Sequence, residues 1–480
     1  MERGIPSLGT RLCRVLADHG VESIFGTDTS LTPAIREGIA QAGLRGFSAP
    51  CASGAAWMAD GSSRLTGRPV LCLVDGAGGV AQALGAVGRE DHPRWVLMSH
   101  GGPDEAPDPA KLVRAAVPAL RQPGTPEAAL TALERAFEAL EMPRQGMQAL
   151  HLQTGWLDRP VPTLPVQIDE VDFAEGMRAS RRVIEAAASI WMESERPLLV
   201  IGGGCRHAAH GIRALVAVSG CAVLSSPAGR GVLADGHPLN LGACLDRPDC
   251  RKMVEAADLV VAIGTGVDLS MLADNDRRRR VIRVDRDAAA AEEGLTPGQG
   301  IDMAIQSDAD WFASRLARVL SRRRNQVFWN PAELARIKAR LWSGYDLQDR
   351  PWADAVRDLR GVLPYGATIF AEPHALSDAL RRGLDFDRPS RFHTIPTDGH
   401  PGAAVLAAVG ARLDAPEAPV LCLAREAGCG AARQAVALLE ERGLSLPVVT
   451  LPDRPPERPG LAAAVDRALW SDAPRLVRLS

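Results

Sequence analysis

The residues of this chain able to do chemistry stand where apolar runs stop. Arg425 and Glu426 follow the run Val420–Ala424, and Asp453 follows Val448–Leu451 across Pro452. Charged side chains at strand ends are commonplace and usually solvated, so the plain reading of each is a wet rim. His92, His100 and His400 stand in or beside loops, where they can line a cleft or do nothing. Glycine-rich turns follow several apolar runs: Gly26-Thr-Asp-Thr29, Asp75-Gly-Ala-Gly-Gly79 and Gly202-Gly-Gly204. The first is a polar turn, the second a tight strand-to-helix turn. The third is not the Gly-x-Gly-x-x-Gly of a dinucleotide fingerprint. The nine cysteines are scattered, with no Cys-x-x-Cys, and read as reduced, mostly buried thiols.

These positions need elements to hold them. Leu8 to Gly20 has helical apolar spacing (Leu8, Leu12, Val15, Leu16) and stops at a glycine. Short apolar runs follow at 21–25, 69–74 and 94–99. The pattern repeats at 196–201, 221–225, 258–264 and 280–285, and again at 366–370, 419–423 and 446–451. Strands alternating with helices predict α/β architecture: three doubly wound parallel-sheet domains. The expected domains are 1–165, 175–325 and 345–480, the last two joined through the basic stretch Ser321-Arg-Arg-Arg-Asn325.

With 480 residues, 46% hydrophobic, each domain can bury a core. A net charge of −3 makes neither nucleic acid nor an anionic membrane an obligatory partner. No apolar run reaches the roughly 18 residues of a membrane span, and the first residues lack a signal-peptide core. A cytoplasmic location is the default expectation.

The most informative segment is Ala49-Pro-Cys-Ala-Ser-Gly-Ala-Ala-Trp-Met-Ala-Asp-Gly-Ser-Ser-Arg-Leu-Thr-Gly67. It resembles a signature of the thiamine diphosphate (ThDP) enzymes of the acetolactate synthase and benzoylformate decarboxylase type. Ala55, Ala56, Met58, Ala59, Asp60, Gly61, Arg64, Thr66 and Gly67 match its helical half. The resemblance extends collinearly over nearly the whole chain, and it implies pyrimidine-binding, central and diphosphate-binding domains in that order.

The chemical half of the signature differs. The family's glutamate, which protonates the aminopyrimidine ring, falls on Ala52, and alanine has no proton to give. Its histidine falls on Cys51. Gly26 and Thr27 stand in the family's first turn, Ser53 follows the lost acid, and Gly76 and Gly78 keep the second turn, with Ala81 where an asparagine commonly follows. His400 and Gly402 stand where backbone frames the cofactor ring.

The resemblance implies two metal ligands, at Glu426 and Asp453, where the family has aspartate and asparagine. Mg²⁺ prefers an octahedral oxygen shell and tolerates poor geometry badly. Arg425 replaces a motif glycine, and would crowd a phosphate turn or pair a phosphate. The segment that covers the cofactor is short. ThDP and Mg²⁺ are therefore implied by resemblance with weak or absent binding expected, FAD is not expected, and no catalytic residue is assigned.

Three functional readings follow. The first is a non-catalytic homologue acting through binding or assembly, as a homo-oligomer (dimer or tetramer) or with an active ThDP enzyme. The second is a working 2-oxo-acid carboligase or decarboxylase using a glutamate-independent route. The third is a thiamine-independent enzyme that reuses the cleft. The small residues of the 54–64 helix are expected to face a partner chain.

Overall fold

The structure is a computed structural model. It describes residues 5–86, 95–102, 107–117, 119–141, 147–162, 177–245, 247–267, 279–292, 302–322, 329–348, 350–396, 400, 402–425, 430–451, 461–471 and 473–478.

Three parallel sheets follow one another along the chain. The first joins β1 (Ser23–Gly26), β2 (Arg45–Ser48), β3 (Val70–Asp75), β4 (Trp95–Gly101), β5 (Leu120–Arg121) and β6 (Gln148–Gln153) in the order β2-β1-β3-β4-β6-β5. Its helices are α1 (Leu8–Asp18), α2 (Pro33–Ala42), α3 (Ala52–Thr66), α4 (Gly76–Leu84), α5 (Pro109–Ala116) and α6 (Pro126–Glu141). The second sheet runs β11-β10-β9-β7-β8, with β7 (Pro197–Ile201), β8 (Ala222–Ser225), β9 (Leu259–Ile263), β10 (Arg280–Asp285) and β11 (Met303–Gln306). Around it lie α7 (Arg181–Met192), α8 (Ala209–Ser219), α9 (Pro248–Ala256), α10 (Ala288–Glu292), α11 (Ala309–Leu320), α12 (Pro331–Gln348) and α13 (Arg350–Val362). The third runs β13-β12-β14-β15-β16, from β12 (Thr368–Ala371), β13 (Phe392–Thr394), β14 (Val420–Ala424), β15 (Pro447–Thr450) and β16 (Arg475–Arg478). Its helices are α14 (Ala375–Gly383), α15 (Ala403–Asp414), α16 (Gly430–Glu440) and α17 (Leu461–Leu469).

The chain divides into two compact units. One holds the first and third sheets (Met1–Asp169, Gly361–Asp378, Phe392–Ser480), the other the second sheet (Glu170–Arg360, Ala379–Arg391). Alternation along β3 explains the double winding. Val70, Cys72 and Val74 pack with α3, whereas Leu71 and Leu73 pack with Leu8, Leu12, Leu16 and Ile35 of α1 and α2.

In the first unit α3 packs against α15, and both are buried along their length. Two glycines set how close they come. A methyl group on Gly61 would collide with the Ala407 carbonyl, and one on Gly410 with the Met58 carbonyl. A buried polar knot fixes the end of α15. Asp414 accepts hydrogen bonds from Ser23 Oγ and Ser62 Oγ, each at 2.5 Å, and pairs with Arg45. Arg45 Nη1 also donates to the Asp414 carbonyl at 2.8 Å. This knot ties β1, β2 and α3 to the third sheet's helix. Two expectations are corrected here. The small residues of 54–64 are covered by α15 of the same chain, so they do not by themselves require a partner.

The cysteines are not all reduced thiols either. Cys244 and Cys250 form a buried disulfide with Cα atoms 6.0 Å apart. A turn into α9 brings them together, a proximity that the search for Cys-x-x-Cys spacing does not detect. Cys13, Cys51, Cys72, Cys205, Cys221 and Cys422 are free. Burial pushes the Cys13 and Cys205 thiols up to about 12. In the second unit the amides of Gly202 and Gly204 donate to Ile263 and Gly264 at 3.0 and 2.9 Å, so that turn is engaged in joining β7 to β9. Among the described residues no helix is long and apolar enough to cross a membrane.

The crossing can be tested by adding a methyl group. Gly61→Ala should destabilise the protein by about 3 kcal/mol, because backbone cannot give way. Gly78→Ala, in open space on α4, should be neutral or slightly stabilising. Urea unfolding midpoints of the two variants check this.

Candidate functional site

The carboxyl ends of the strands are where open α/β sheets place their ligands. In the first sheet β1 ends at Gly26, and the Thr27 amide donates to Ser30 Oγ at 2.8 Å. Thr27 Oγ1 donates to Asp75 Oδ1 at 3.2 Å across the neighbouring strand end. Asp28 is held by Ser48 Oγ at 2.7 Å and Arg36 at 3.1 Å; these hydrogen bonds keep its carboxyl below the usual range. The turn is thus polar and internally bonded.

Gly76 opens α4 with φ +62°, a left-handed conformation that suits glycine. A Cβ at Gly78 would meet nothing within 4 Å. At the head of α3, Cys51 is the cap: its Sγ accepts the Gly54 amide at 3.4 Å and lies 3.2 Å from Ser53 Oγ. Ala52 is buried, its methyl turned toward Gly79. Asp75 Oδ1 lies beside the same glycine: a Cβ built there would be 3.7 Å from the Ala52 methyl and 3.8 Å from that oxygen. Asp75 stands at the α4 N-cap and makes no side-chain cap bond. The Asp75 carboxylate thus faces the same glycine as Ala52. Its position directly after an apolar strand, inside the quoted glycine turn, was the available signal.

In the third sheet the organising residue is Glu372, directly after β12. Its Oε2 accepts the Arg425 amide at 2.8 Å and its Oε1 the Gly402 amide at 3.3 Å. Burial raises its pKa, opposed by those two amides and by Arg425. Sequence reasoning missed it, although a carboxylate at the end of a buried strand is the same signal that singled out Glu426. Gly402 caps α15 with φ +85°. The Arg425 guanidinium donates to the Pro373 carbonyl at 3.2 Å.

His400 packs edge-on to Trp57 with ring centroids 6.5 Å apart, in the space a side chain at Gly85 would need. His400 Nδ1 and Trp57 Nε1 are buried without a hydrogen-bond partner among the described residues. Glu426, Asp453 and His92 lie outside the described residues. Among the described residues, no three His, Cys, Asp or Glu side chains converge on a metal position.

Comparison with known proteins places this geometry. Residues 6–98 match the thiamine pyrophosphate enzyme N-terminal TPP binding domain, and residues 184–316 the thiamine pyrophosphate enzyme central domain. The chain belongs to the thiamine diphosphate enzyme superfamily. Within that superfamily it is 26% identical over 478 residues to the probable 2-ketoarginine decarboxylase AruI of Pseudomonas aeruginosa, covering 92% of this chain and 81% of that one. It is 24% identical over 452 residues to a putative acetolactate synthase large subunit, IlvB2, of Mycobacterium tuberculosis, covering 87% of this chain and 80% of the relative. A solved structure of a Rhodococcus jostii thiamine diphosphate-dependent 4-hydroxybenzoylformate decarboxylase superposes with TM-score 0.75 over 98% of both chains at 17% identity, a likeness of fold.

Ala52 and Ala81 carry no polar side-chain atom, and the amides of Gly402 and Arg425 are taken by Glu372.

Glu372 sets a pH dependence. Its folded pKa is raised above its unfolded value, so the folded state holds the proton between the two. Stability contributed by this group therefore falls as pH rises through that window. Glu372→Gln should flatten this part of the curve, and Glu372→Ala should cost about 1–3 kcal/mol by orphaning two amides. Urea unfolding at about pH 5 and about pH 7 reads both.

Proposed function

We propose that this chain is a homologue of the acetolactate synthase and benzoylformate decarboxylase type with a degraded ThDP and Mg²⁺ site, acting through binding or assembly. The observation that carries this reading is Ala52: a methyl group, buried toward Gly79, stands where the acid of the aminopyrimidine relay is required. The engagement of the Gly402 and Arg425 amides by Glu372 points the same way. The proposed assembly is a homodimer or tetramer, or a hetero-oligomer with an active ThDP enzyme, in the cytoplasm. Its support is the two-chain arrangement of half-sites that the family resemblance implies, now that α15 accounts for the small residues of α3.

A second reading is favoured by one specific observation. The Asp75 carboxylate, held by Thr27, faces the same glycine, Gly79, that Ala52 faces, and supports this reading. On that reading the chain is a 2-oxo-acid decarboxylase or carboligase that uses a different acid, or an enzyme that reuses the cleft without thiamine. The likeness to a probable 2-ketoarginine decarboxylase over most of the chain makes 2-oxo acids with a cationic side chain the first substrates to try.

Release of CO₂ from a panel of 2-oxo acids, with ThDP and Mg²⁺ supplied, separates the readings. The expected result is no release above buffer. Turnover that Asp75→Asn lowers by about 10²-fold or more would establish the second reading instead, since general acid–base help is typically of that size.

A further inference from the structure

The second unit carries a groove that the thiamine question does not touch. It lies between the first turn of α7 and the outward stripe of α11, with a cavity of about 420 Å³. Ala179, Ile184 and Val319 contribute its apolar lining, and Arg181, Arg315, Arg318 and Arg322 its charge. Trp311, Arg315, Arg318 and Arg322 recur at the spacing that puts residues on one helical face, continued past the end of α11.

Trp311 is held in place: its Nε1 donates to the Ala179 carbonyl at 3.3 Å. The Arg315 and Arg178 guanidiniums lie 4.2 and 5.0 Å from its ring centroid. The single carboxylate lining the groove, Glu185, is bound to Arg181 at 2.8 Å. Arg318 and Arg322 are exposed and face no carboxylate among the described residues. A local excess of positive charge therefore sits on a chain whose net charge is −3.

We propose that this groove docks an acidic segment of a partner protein, an amphipathic helix with carboxylates along the arginine stripe and apolar residues against Ile184 and Val319. Three features favour such an occupant. Tryptophan and arginine are the residues most enriched at interface hot spots. A groove between two helices with anchors at helical spacing suits a helical ligand. The guanidinium fork matches a carboxylate with two parallel hydrogen bonds. The inference holds whether or not the strand-edge cleft binds ThDP, and its variants leave that cleft unchanged.

Fluorescence anisotropy tests it. The probe is a labelled amphipathic peptide with glutamates on one helical face and leucines on the other, titrated with the full chain. Saturable binding that weakens with salt is expected, with no binding of the matching lysine peptide. Arg318→Glu combined with Arg322→Glu should weaken binding about tenfold or more while leaving the melting temperature unchanged, both side chains being exposed. Absence of binding, binding that the double variant retains, or displacement of the peptide by an equal concentration of sodium triphosphate would overturn the proposal. The last of these would make the groove a small-anion site.

Discussion

The crossing of α3 and α15 is the constraint on which the first unit depends. Two helices from different sheets meet with backbone against backbone, and only glycine at 61 and 410 allows it. Close approach buries the alanines around those glycines and brings Asp414 within reach of Ser23, Ser62 and Arg45. Such a knot is costly to break, because removing one partner strands a buried charge. The small residues of the signature segment are thus explained by packing alone. Packing continues to require them whatever happens to the chemistry at the head of the helix.

That separation accounts for the state of the strand edges. α3 retains the residues of its buried face, yet its first turn carries Cys51, Ala52 and Ser53, which cap the helix and fill space. The polar groups nearby are bonded to one another: Thr27 to Asp75, and Glu372 to the amides of Gly402 and Arg425. A carboxylate that satisfies loop amides holds both loops in place with bonds the chain itself supplies.

The three sheets were legible in the sequence because buried parallel strands are short apolar runs punctuated by glycine turns. Helix α3 was legible too, but its partner was not. Periodicity shows that a face is buried and says nothing about whether the covering helix belongs to the same chain. The disulfide escaped for a similar reason, since Cys244 and Cys250 meet through a turn. At the site, Thr27 follows β1, Gly76 opens α4 and Gly402 caps α15. Asp75 and Glu372 escaped a reading based on motif positions, since neither stands at one. Carboxylates gained or retained one strand away carry no motif.

The proposed function requires that ThDP with Mg²⁺ bind this chain weakly or not at all. A ligand that binds the native state raises its unfolding free energy in proportion to the logarithm of the ratio of ligand concentration to Kd. The most direct measurement is therefore urea unfolding of the purified protein with Mg²⁺, in the absence of ThDP and at concentrations up to about 1 mM, where a micromolar binder would gain about 4 kcal/mol. Superimposable curves are the expected result. A midpoint that climbs with ThDP concentration, and does so only with Mg²⁺ present, would contradict it.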